Sequence, residues 1–354
     1  MLTIKRYIHD VMYDERNDAL SRLARPCLRV VSYLYAVLVA SNHFFYNVSL
    51  LKSYRVLPLV ISVGNITLGG TGKTPFAIML AKRLSGKGKK TAILIRGYGE
   101  DEWKMLENKL KGQGIEIFVG RDRVKTAGEA DRRGADTLIL DDGFQHRRLK
   151  RDLDIVLLDS ANPFGNRRIF PRGILREPPA NLKRAGLIVL TKTDKGKSNV
   201  AAVEKELENI APHVPVARAL HRLAGLFELW KGAEQDISAL KGKRVCIFSA
   251  ICDPGYFRYS VESVGAIVHP ELVFPDHYSY GVEDLERIFS KCRAENIDTV
   301  ITTEKDAVKL RGFLPGEDFL RILVLSVEIE ITDGEEKLDD ALRRLYVRDS
   351  RKRR

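Results

Sequence analysis

The chain has 354 residues, 44% of them hydrophobic, and a formal net charge of +12. This composition is ordinary for a globular protein, and the length predicts about two domains. The four cysteines, at positions 27, 246, 252 and 292, show no CxxC spacing, which argues against a disulfide framework and a zinc site and fits a reducing compartment.

The first predicted element is a basic and apolar segment over residues 1–52. From Asp18 to Glu100 no acidic residue intervenes and twelve basic residues occur, and an apolar run covers Val30 to Ala40. As a helix this run would span only about 16 Å, well short of a hydrocarbon core of about 30 Å. We therefore predict an interfacial helix on an anionic membrane surface, with a helix docked on the protein's own core as the alternative.

A glycine-rich loop follows the apolar run Leu57 to Val63 and precedes an apolar, helix-compatible run, Phe76 to Leu84. Strand, glycine-rich loop and helix in this order are typical of a loop that binds nucleotide phosphates. Lys73 would reach the β- and γ-phosphates, and the Thr74 hydroxyl would bind Mg²⁺. The strict motif has a glycine where this chain has Thr67. The predicted phosphate-binding residues are Gly69, Gly70, Thr71, Gly72, Lys73 and Thr74.

Four separate short apolar runs follow the glycine-rich loop. They cover Thr91 to Ile95, Thr137 to Leu140, Ile155 to Leu158 and Leu187 to Leu190. Buried parallel strands have this pattern, and ligands bind at their C-terminal ends. We predict a P-loop NTPase-like α/β core over residues 53–228, a mostly parallel sheet with helices on both faces.

A second, smaller α/β lobe is predicted over residues 229–354, where it would contribute to the cleft. A quieter stretch, Val216 to Lys241, separates the two parts. The strands predicted for the second lobe are Arg244 to Ser249, Ala266 to His269 and Thr299 to Thr302.

Two acidic residues, Asp141 and Asp142, follow the predicted strand Thr137 to Leu140. Carboxylates at this place, downstream of a P-loop, hold Mg²⁺ or its water shell. Gln145 and His146 come next and could order metal, water or phosphate oxygens, although a lone histidine is more often structural. The pattern predicts a magnesium site at the C-terminal end of this strand.

A loop rich in glycine and proline, Phe164 to Pro178, contains Arg176 and Glu177. Arg176 could neutralise charge on the transferred phosphoryl group, and Glu177 could complete the magnesium site. The alternative is a surface ion pair between these neighbours.

A kinase needs a base near the acceptor hydroxyl, which an aspartate or a histidine–aspartate pair can supply. Asp101 and Glu102 follow the segment Arg96 to Gly99, and further candidates lie in Phe274 to Tyr278 and in Thr302 to Asp306. Each segment alone could be a solvated loop, so only their combination predicts a base.

Other classes of protein remain possible at this point. The segment Thr191 to Asp194 ends a predicted strand and resembles the guanine-reading motif of P-loop GTPases, which would indicate a GTP-binding switch or metallochaperone. A nucleic-acid ATPase would use the basic span to bind phosphates. The apolar run beside those charges favours lipid, so we expect no nucleic-acid partner.

Several segments, taken together and in order, resemble the tetraacyldisaccharide 4′-kinase (LpxK) family. They are Val63 to Asn65 with Gly69 to Pro75, Arg96 to Gly99, Asp141 to His146, Phe164 to Asn166, Pro171 to Glu177, Phe274 to His277 and Thr303 to Lys309. The resemblance implies that ATP, with Mg²⁺, phosphorylates the 4′-hydroxyl of an acylated glucosamine disaccharide 1-phosphate to give lipid IVA in lipid A biosynthesis. It also implies a peripheral or monotopic protein on the cytoplasmic face of the inner membrane.

The family uses an aspartate–histidine pair as base, and the resemblance makes His277 the histidine. The family's aspartate lies in a Gly-Asp-Glu-Pro segment farther along the chain, whereas here Asp101 comes almost directly after Gly99. The expected catalytic residues are Asp101, which takes the hydroxyl proton, His277 and Arg176. The expected Mg²⁺ ligands are Thr74, Asp141, Asp142, Gln145, His146 and Glu177.

Overall fold

The computed structural model describes residues 7–8, 10–97, 99–313 and 320–352. The chain divides into two compact units. Unit 1 contains Met1–Arg96, Gly112–Leu220 and Glu330–Arg354, and unit 2 contains Gly97–Lys111 and His221–Ile329. Unit 2 therefore includes residues 97–111, which the sequence placed in the P-loop core.

Unit 1 is built on parallel strands. They are β1 (Leu59–Gly64), β2 (Thr91–Ile95), β3 (Glu116–Val119), β4 (Thr137–Asp141), β5 (Leu153–Asp159), β6 (Leu187–Thr191) and the first part of β7 (Val216–Glu228). Their order is β7-β6-β5-β1-β4-β2-β3, with every pair parallel. Val63 of β1 pairs with Asp141 of β4, so the C-terminal ends of these two central strands meet.

Nine α-helices that the structure describes from end to end accompany the strands. They are α1 (Ala19–Asn47), α2 (Lys73–Gly86), α3 (Glu100–Leu110), α4 (Arg123–Arg132), α5 (Val200–Ile210), α6 (Pro254–Ser263), α7 (Val282–Ala294), α8 (Glu304–Leu310) and α9 (Glu335–Lys352). In unit 1, α2 buries Phe76, Leu80 and Leu84, which lie four residues apart on one face. This face packs α2 onto β1, β2 and β4 and so holds the start of the helix at the end of β1.

Unit 2 is a smaller α/β unit. Its strands are the remainder of β7, β8 (Glu234–Gln235), β9 (Arg244–Ser249), β10 (Ile267–Val273), β11 (Thr299–Thr303) and most of β12 (Arg321–Asp333). The order is β10-β9-β11-β12-β7; β10, β9, β11 and β12 pair in parallel, and β8 pairs antiparallel with β7. In this unit α3 packs against α8. The predicted fold class, mostly parallel α/β with a second smaller α/β part, is confirmed.

The prediction of a quiet stretch from Val216 to Lys241 was wrong, because the 13-residue strand β7 occupies half of it. At the start of β7 the buried residues are the small Ala217 and Ala219, and Arg218 lies between them. Small buried side chains beside a charged one give a weak alternating pattern, which hides the strand from a search for apolar runs.

The helix α1 leaves many large apolar side chains exposed. They include Leu20, Leu23, Val30, Val31, Tyr33, Leu34, Val37, Leu38, Phe44 and Phe45. Among the described residues this 29-residue helix alone is long and apolar enough to cross a membrane, and only 6% of its most apolar window is buried. Ser32 attaches the helix to unit 1, since its hydroxyl donates to the Ile169 carbonyl at 2.7 Å and accepts from the Arg172 N–H at 2.9 Å.

Gly64, the last residue of β1, lies against Phe144, so a side chain at this position should destabilise the protein. A Cβ on Gly64 would lie 2.7 Å from the backbone nitrogen of Phe144, which is fully buried. We expect Gly64→Ala to lower the free energy of unfolding by about 1–3 kcal/mol. Gly86→Ala is the control, because a Cβ there meets no atom within 4 Å. Urea unfolding measures both, and equal midpoints would contradict the close approach.

Candidate functional site

The glycine-rich loop joins β1 to α2 in unit 1. Gly69 and Gly72 have φ angles of +113° and +83°, which residues with side chains rarely adopt. Gly72 immediately precedes Lys73, the first residue of α2. The loop therefore leads into the N-terminus of a 14-residue helix, where free N–H groups and the helix dipole favour a bound anion.

Thr67, which replaces a glycine of the strict motif, has a regular place in this loop. It forms an antiparallel bridge with Leu175, and the Arg176 N–H donates to the Ile66 carbonyl at 2.7 Å. This part of the loop is paired like a strand, a conformation that needs no glycine. The same pairing holds Arg176 beside the loop.

Two cations and one carboxylate lie together at the start of α2. The Lys73 Nζ is 3.7 Å from the Asp142 carboxylate, and the Arg176 Nη1 donates to it at 2.7 Å. Burial alone would raise the pKa of Asp142, but Lys73 and Arg176 hold that pKa below its usual value. Asp142 also has a φ of +53°, a strained conformation of the kind that clusters at functional sites. A phosphate at the loop would find two positive side chains already positioned.

Thr74 and Asp141 form the second contact at the loop. The Thr74 hydroxyl donates to the Asp141 Oδ2 at 2.8 Å, and Arg123 donates to the Asp141 backbone oxygen at 2.9 Å. Asp141 is the last residue of β4 and is buried. A hydroxyl and a carboxylate so placed are the oxygen ligands that hold Mg²⁺ in P-loop proteins.

Gln145 and His146 follow in the same turn. The Gln145 Nε2 donates to the Asn65 carbonyl at 2.8 Å. Burial, followed by the charge of Arg123, lowers the pKa of His146 to about 4, so the ring is uncharged at neutral pH. The buried Gln145 Oε1 and His146 Nε2 make no hydrogen bond to any residue that the structure describes. Both side chains therefore retain unused hydrogen-bonding capacity near the start of the loop.

Glu177 makes its polar contacts elsewhere in unit 1. Its side chain is 1% exposed, and its Oε2 accepts hydrogen bonds from Arg184 at 2.8 Å and Asn181 at 2.7 Å. The His43 Nε2, on α1, lies 3.3 Å from the same oxygen. Within the described residues these contacts connect Glu177 to α1 rather than to the carboxylates after β4. Its role as a Mg²⁺ ligand stays a prediction.

The segment Thr191–Asp194 lies beside the phosphate-binding loop. The Thr191 hydroxyl donates to the Thr71 carbonyl at 3.0 Å, which ties the end of β6 to the loop. Lys192 is buried and its Nζ lies 2.6 Å from the Asp159 carboxylate. These contacts give Thr191 and Lys192 supporting roles that do not depend on reading a guanine base.

In unit 2, Asp101 and His277 form a hydrogen-bonded pair. The His277 Nδ1 lies 3.3 and 3.2 Å from the two carboxylate oxygens of Asp101, which is 6% exposed in the first turn of α3. A Cβ on Gly99 would collide with this carboxylate, so the glycine permits the close approach. His277 has a strained φ of +60°. Tyr98, in the segment that precedes Asp101, lies outside the described residues.

Two lysines, Lys305 and Lys309, lie close to this pair and affect the pKa values of its two residues. The Lys309 Nζ is 3.4 Å from Asp101, and the Lys305 Nζ is 3.3 Å from the His277 Nε2. Burial would raise the pKa of Asp101, but the His277 hydrogen bond, Lys305 and Lys309 hold that pKa far below its usual range. The hydrogen bond with Asp101 raises the pKa of His277 despite burial and Lys305. Ionised Asp101 therefore orients the imidazole and stabilises its protonated form.

Sequence reasoning did not include the lysines among the site residues. Lys309 is fixed by the fully buried Asp306, whose Oδ1 is 3.1 Å from its Nζ, and Lys305 by Asp276 at 3.0 Å. Both lysines belong to the segment Thr303 to Lys309 that supported the family resemblance. Their contact with Asp101 and His277 depends on tertiary structure. In the sequence, the only indication of their role was therefore their place in a segment that resembles the family.

The fold and the loop define a class of protein. A parallel sheet whose central strand leads through a glycine-rich loop into Lys73 and Thr74, with Asp141 at the end of the adjacent strand, is a P-loop nucleotide-binding core.

The chain belongs to the tetraacyldisaccharide-1-P 4′-kinase (LpxK) family, whose model matches residues 24–109 and 101–346. The family predicted from the sequence is thus confirmed.

Individual relatives agree with this assignment. The chain is 39% identical over 312 residues to the tetraacyldisaccharide 4′-kinase of Syntrophus aciditrophicus, covering 80% of this chain and 83% of that one. It is 34% identical over 355 residues to that of Anaeromyxobacter dehalogenans, covering 94% and 93%. A crystal structure of the "apo" form of LpxK from Aquifex aeolicus in complex with ATP has a TM-score of 0.70 and 29% identity, covering 91% and 99%.

Proposed function

We propose that this protein is a kinase that transfers the γ-phosphate of ATP to the 4′-hydroxyl of a tetraacyldisaccharide 1-phosphate, giving lipid IVA in lipid A biosynthesis. One observation carries the proposal: the loop of unit 1 presents Lys73 and Thr74 at a helix N-terminus, with Asp141 hydrogen-bonded to Thr74. The ATP complex of the Aquifex aeolicus relative supports ATP as the donor, and the names of the curated relatives support the acceptor.

We assign binding of the donor to unit 1. The N–H groups of residues 69–74 and the Lys73 ammonium would hold the β- and γ-phosphates. Arg176, fixed by its pairing with the loop and by Asp142, would neutralise charge that develops on the transferred phosphoryl group. Positioning and electrostatic stabilisation account for most of the acceleration in phosphoryl transfer, so these contacts should dominate the rate.

The residues around Thr74 fit a magnesium ion. We infer that Thr74 and Asp141 hold it, with the Gln145 Oε1 nearby in sequence as a further oxygen. Among the described residues no group of three or more His, Cys, Asp and Glu side chains could hold a metal alone, which suits an ion completed by water and phosphate oxygens. When bound, Mg²⁺ would neutralise the phosphate oxygens. Of the other predicted ligands, Asp142 already faces two cations.

Removing the charge of Asp141 should weaken magnesium binding selectively. We expect Asp141→Asn to raise the Mg²⁺ concentration for half-maximal turnover by about 10- to 100-fold, since a neutral amide replaces a carboxylate ligand. Thr74→Ser, which keeps the hydroxyl, is the matched control and should change it little. Magnesium titrations of ADP release measure both, and an unchanged requirement in Asp141→Asn would contradict the assignment.

We assign removal of the proton from the acceptor's 4′-hydroxyl to residues of unit 2. Asp101 alone, with a pKa held far below its usual range, would be a poor proton acceptor. Its hydrogen bond to His277 couples the two groups, so the hydroxyl proton would be taken up by the pair and stabilised by the Asp101 charge. The sequence-based prediction gave the proton to Asp101 itself; we propose that His277 shares it.

We further propose that α1 attaches the enzyme to the cytoplasmic face of the inner membrane as a peripheral or monotopic protein. Its exposed side chains, such as Leu23, Leu34 and Leu38, are more than half accessible. Arg22 and Arg29 lie on the same helix, in a span without acidic residues, which favours an anionic lipid surface. A tetraacylated acceptor is itself a membrane lipid, so attachment would bring enzyme and acceptor to one surface.

Acceptor-dependent use of ATP tests the proposed function. In detergent micelles that contain tetraacyldisaccharide 1-phosphate, ADP release should rise far above the rate measured without the lipid. GTP should neither replace ATP nor compete with it at equal concentration. Turnover that prefers GTP and ignores the lipid would contradict the kinase proposal and favour a GTP-binding switch.

A further inference from the structure

A cavity of about 670 Å³ lies in unit 1 at the edge of the sheet opposite the phosphate-binding loop. Leu59 and Leu153, the first residues of β1 and β5, line it, whereas the loop follows Gly64 at the other end of β1. One face of α9 forms another wall through Lys337, Ala341 and neighbours at helical spacing. The cavity is therefore separate from the nucleotide site.

Positive charge dominates the walls of this cavity. Three aspartates line it, together with six lysine and arginine residues. The lysines and arginines are Arg55, Lys150, Arg151, Arg184, Lys337 and Arg344. A concave site with a net positive charge attracts anions more strongly than a flat surface does.

Most of these cations already have partners, and two do not. Arg55 pairs with Asp152 at 2.9 Å, and Arg151 pairs with Asp154 at 3.1 Å. The side chains of Lys150 and Arg344 are exposed, and neither makes a hydrogen bond or an ion pair within the part of the chain that the structure describes. Two positive charges on separate walls are thus left for a ligand.

One residue of the cavity wall, Arg184, also contacts the apolar helix α1. Its Nη1 lies 2.6 Å from the His43 Nδ1 near the C-terminal end of α1. We propose that this cavity is a second anion site, in which Lys150 and Arg344 bind a phosphate group. The phosphate could come from an anionic phospholipid headgroup, since α1 is the exposed apolar helix, or from a soluble phosphate compound. The proposal does not depend on the kinase assignment.

The test compares two full-length double variants. Lys150→Ala/Arg344→Ala removes the two unpaired charges, and Lys197→Ala/Lys205→Ala removes two exposed charges elsewhere in unit 1. The lipid arm measures cosedimentation with phosphatidylcholine vesicles with and without phosphatidylglycerol. The soluble arm measures calorimetric binding of inorganic pyrophosphate, with Lys73→Ala added to each protein to weaken the P-loop. Unfolding midpoints should match among all proteins.

We expect the cavity variant to bind its ligand roughly 30-fold more weakly than the control variant, as two basic side chains at an anionic surface predict. A loss confined to phosphatidylglycerol vesicles identifies a lipid headgroup as the ligand, and a loss confined to pyrophosphate identifies a soluble phosphate. If both variants bind equally in both arms, or if the unsubstituted cavity binds neither probe, the second anion site is overturned.

Discussion

Replacing Lys73 with alanine should lower kcat by about 10²- to 10³-fold, the usual cost of removing one group that stabilises transition-state charge. Lys73 is the first residue of α2, and its ammonium lies 3.7 Å from Asp142 beside Arg176. Without it, the loop would hold the β- and γ-phosphates with backbone N–H groups and Arg176 alone. Single-turnover measurements at saturating ATP and lipid separate this loss from weaker binding.

The matched control is Lys205→Ala, which removes an exposed lysine from α5 of the same unit. Lys205→Ala should leave kcat and the urea unfolding midpoint unchanged. Lys73→Ala should have the same unfolding midpoint, because the Lys73 side chain lies at a polar site. Near-normal kcat in Lys73→Ala would show that the loop does not bind the donor as we propose.

Replacing Asp101 should have an effect of similar or larger size. We expect Asp101→Ala and the nearly isosteric Asp101→Asn to lower kcat by about 10²- to 10⁴-fold, the range for loss of general-base catalysis. In neither variant can residue 101 accept a proton or stabilise protonated His277 by a negative charge. Glu107→Gln, on the same helix α3, is a control that removes one negative charge outside the pair. An Asp101→Asn enzyme with near-normal turnover would eliminate this residue as part of the base.

The pH dependence of turnover follows from the same pair. Because the hydrogen bond to Asp101 raises the pKa of His277, His277 is protonated below that raised pKa and the pair cannot accept another proton. We expect kcat to rise with pH through the raised pKa. In Asp101→Asn the pKa of His277, followed by NMR, should move to lower pH. A titration unchanged by Asp101→Asn would contradict the coupling.

The stability supplied by the pair has the opposite pH dependence. A group with a raised pKa in the folded state contributes its full stability below the pKa of the unfolded chain, and this contribution is lost as pH rises through the folded value. The Asp101–His277 contact should therefore stabilise unit 2 most at mildly acid pH, while catalysis needs the deprotonated histidine at higher pH.

The strands that could be predicted are those buried on both faces. The strands β2 and β9 have the predicted bounds, Thr91–Ile95 and Arg244–Ser249, because continuous apolar runs leave few alternatives. The strand β12 was not predicted, although residues 322–325 in its first half form a continuous buried apolar run; in its second half, polar residues such as Glu328 and Glu330 alternate with apolar ones. Such strands are recognised by their neighbours rather than by their own composition.

The phosphate-binding loop could be predicted for a related reason, since its chemistry lies in one contiguous segment. The Asp101–His277 contact joins residues 176 positions apart, and only the resemblance to a family linked them. The partners of Glu177 could not be foreseen, because His43 on α1 reaches it only in the folded chain. Local chemistry is therefore readable in the sequence, whereas contacts between distant segments require the fold or a relative.

The central claim is most directly tested by locating the phosphate that leaves ATP. The protein is incubated with ATP labelled in the γ-phosphate and a tetraacyldisaccharide 1-phosphate, and the lipid product is analysed by phosphorus–proton NMR. We predict one labelled phosphate on each product molecule, bonded to the 4′-oxygen, and its loss in Lys73→Ala. Label found only in inorganic phosphate, or on another hydroxyl of the sugar, would contradict the account.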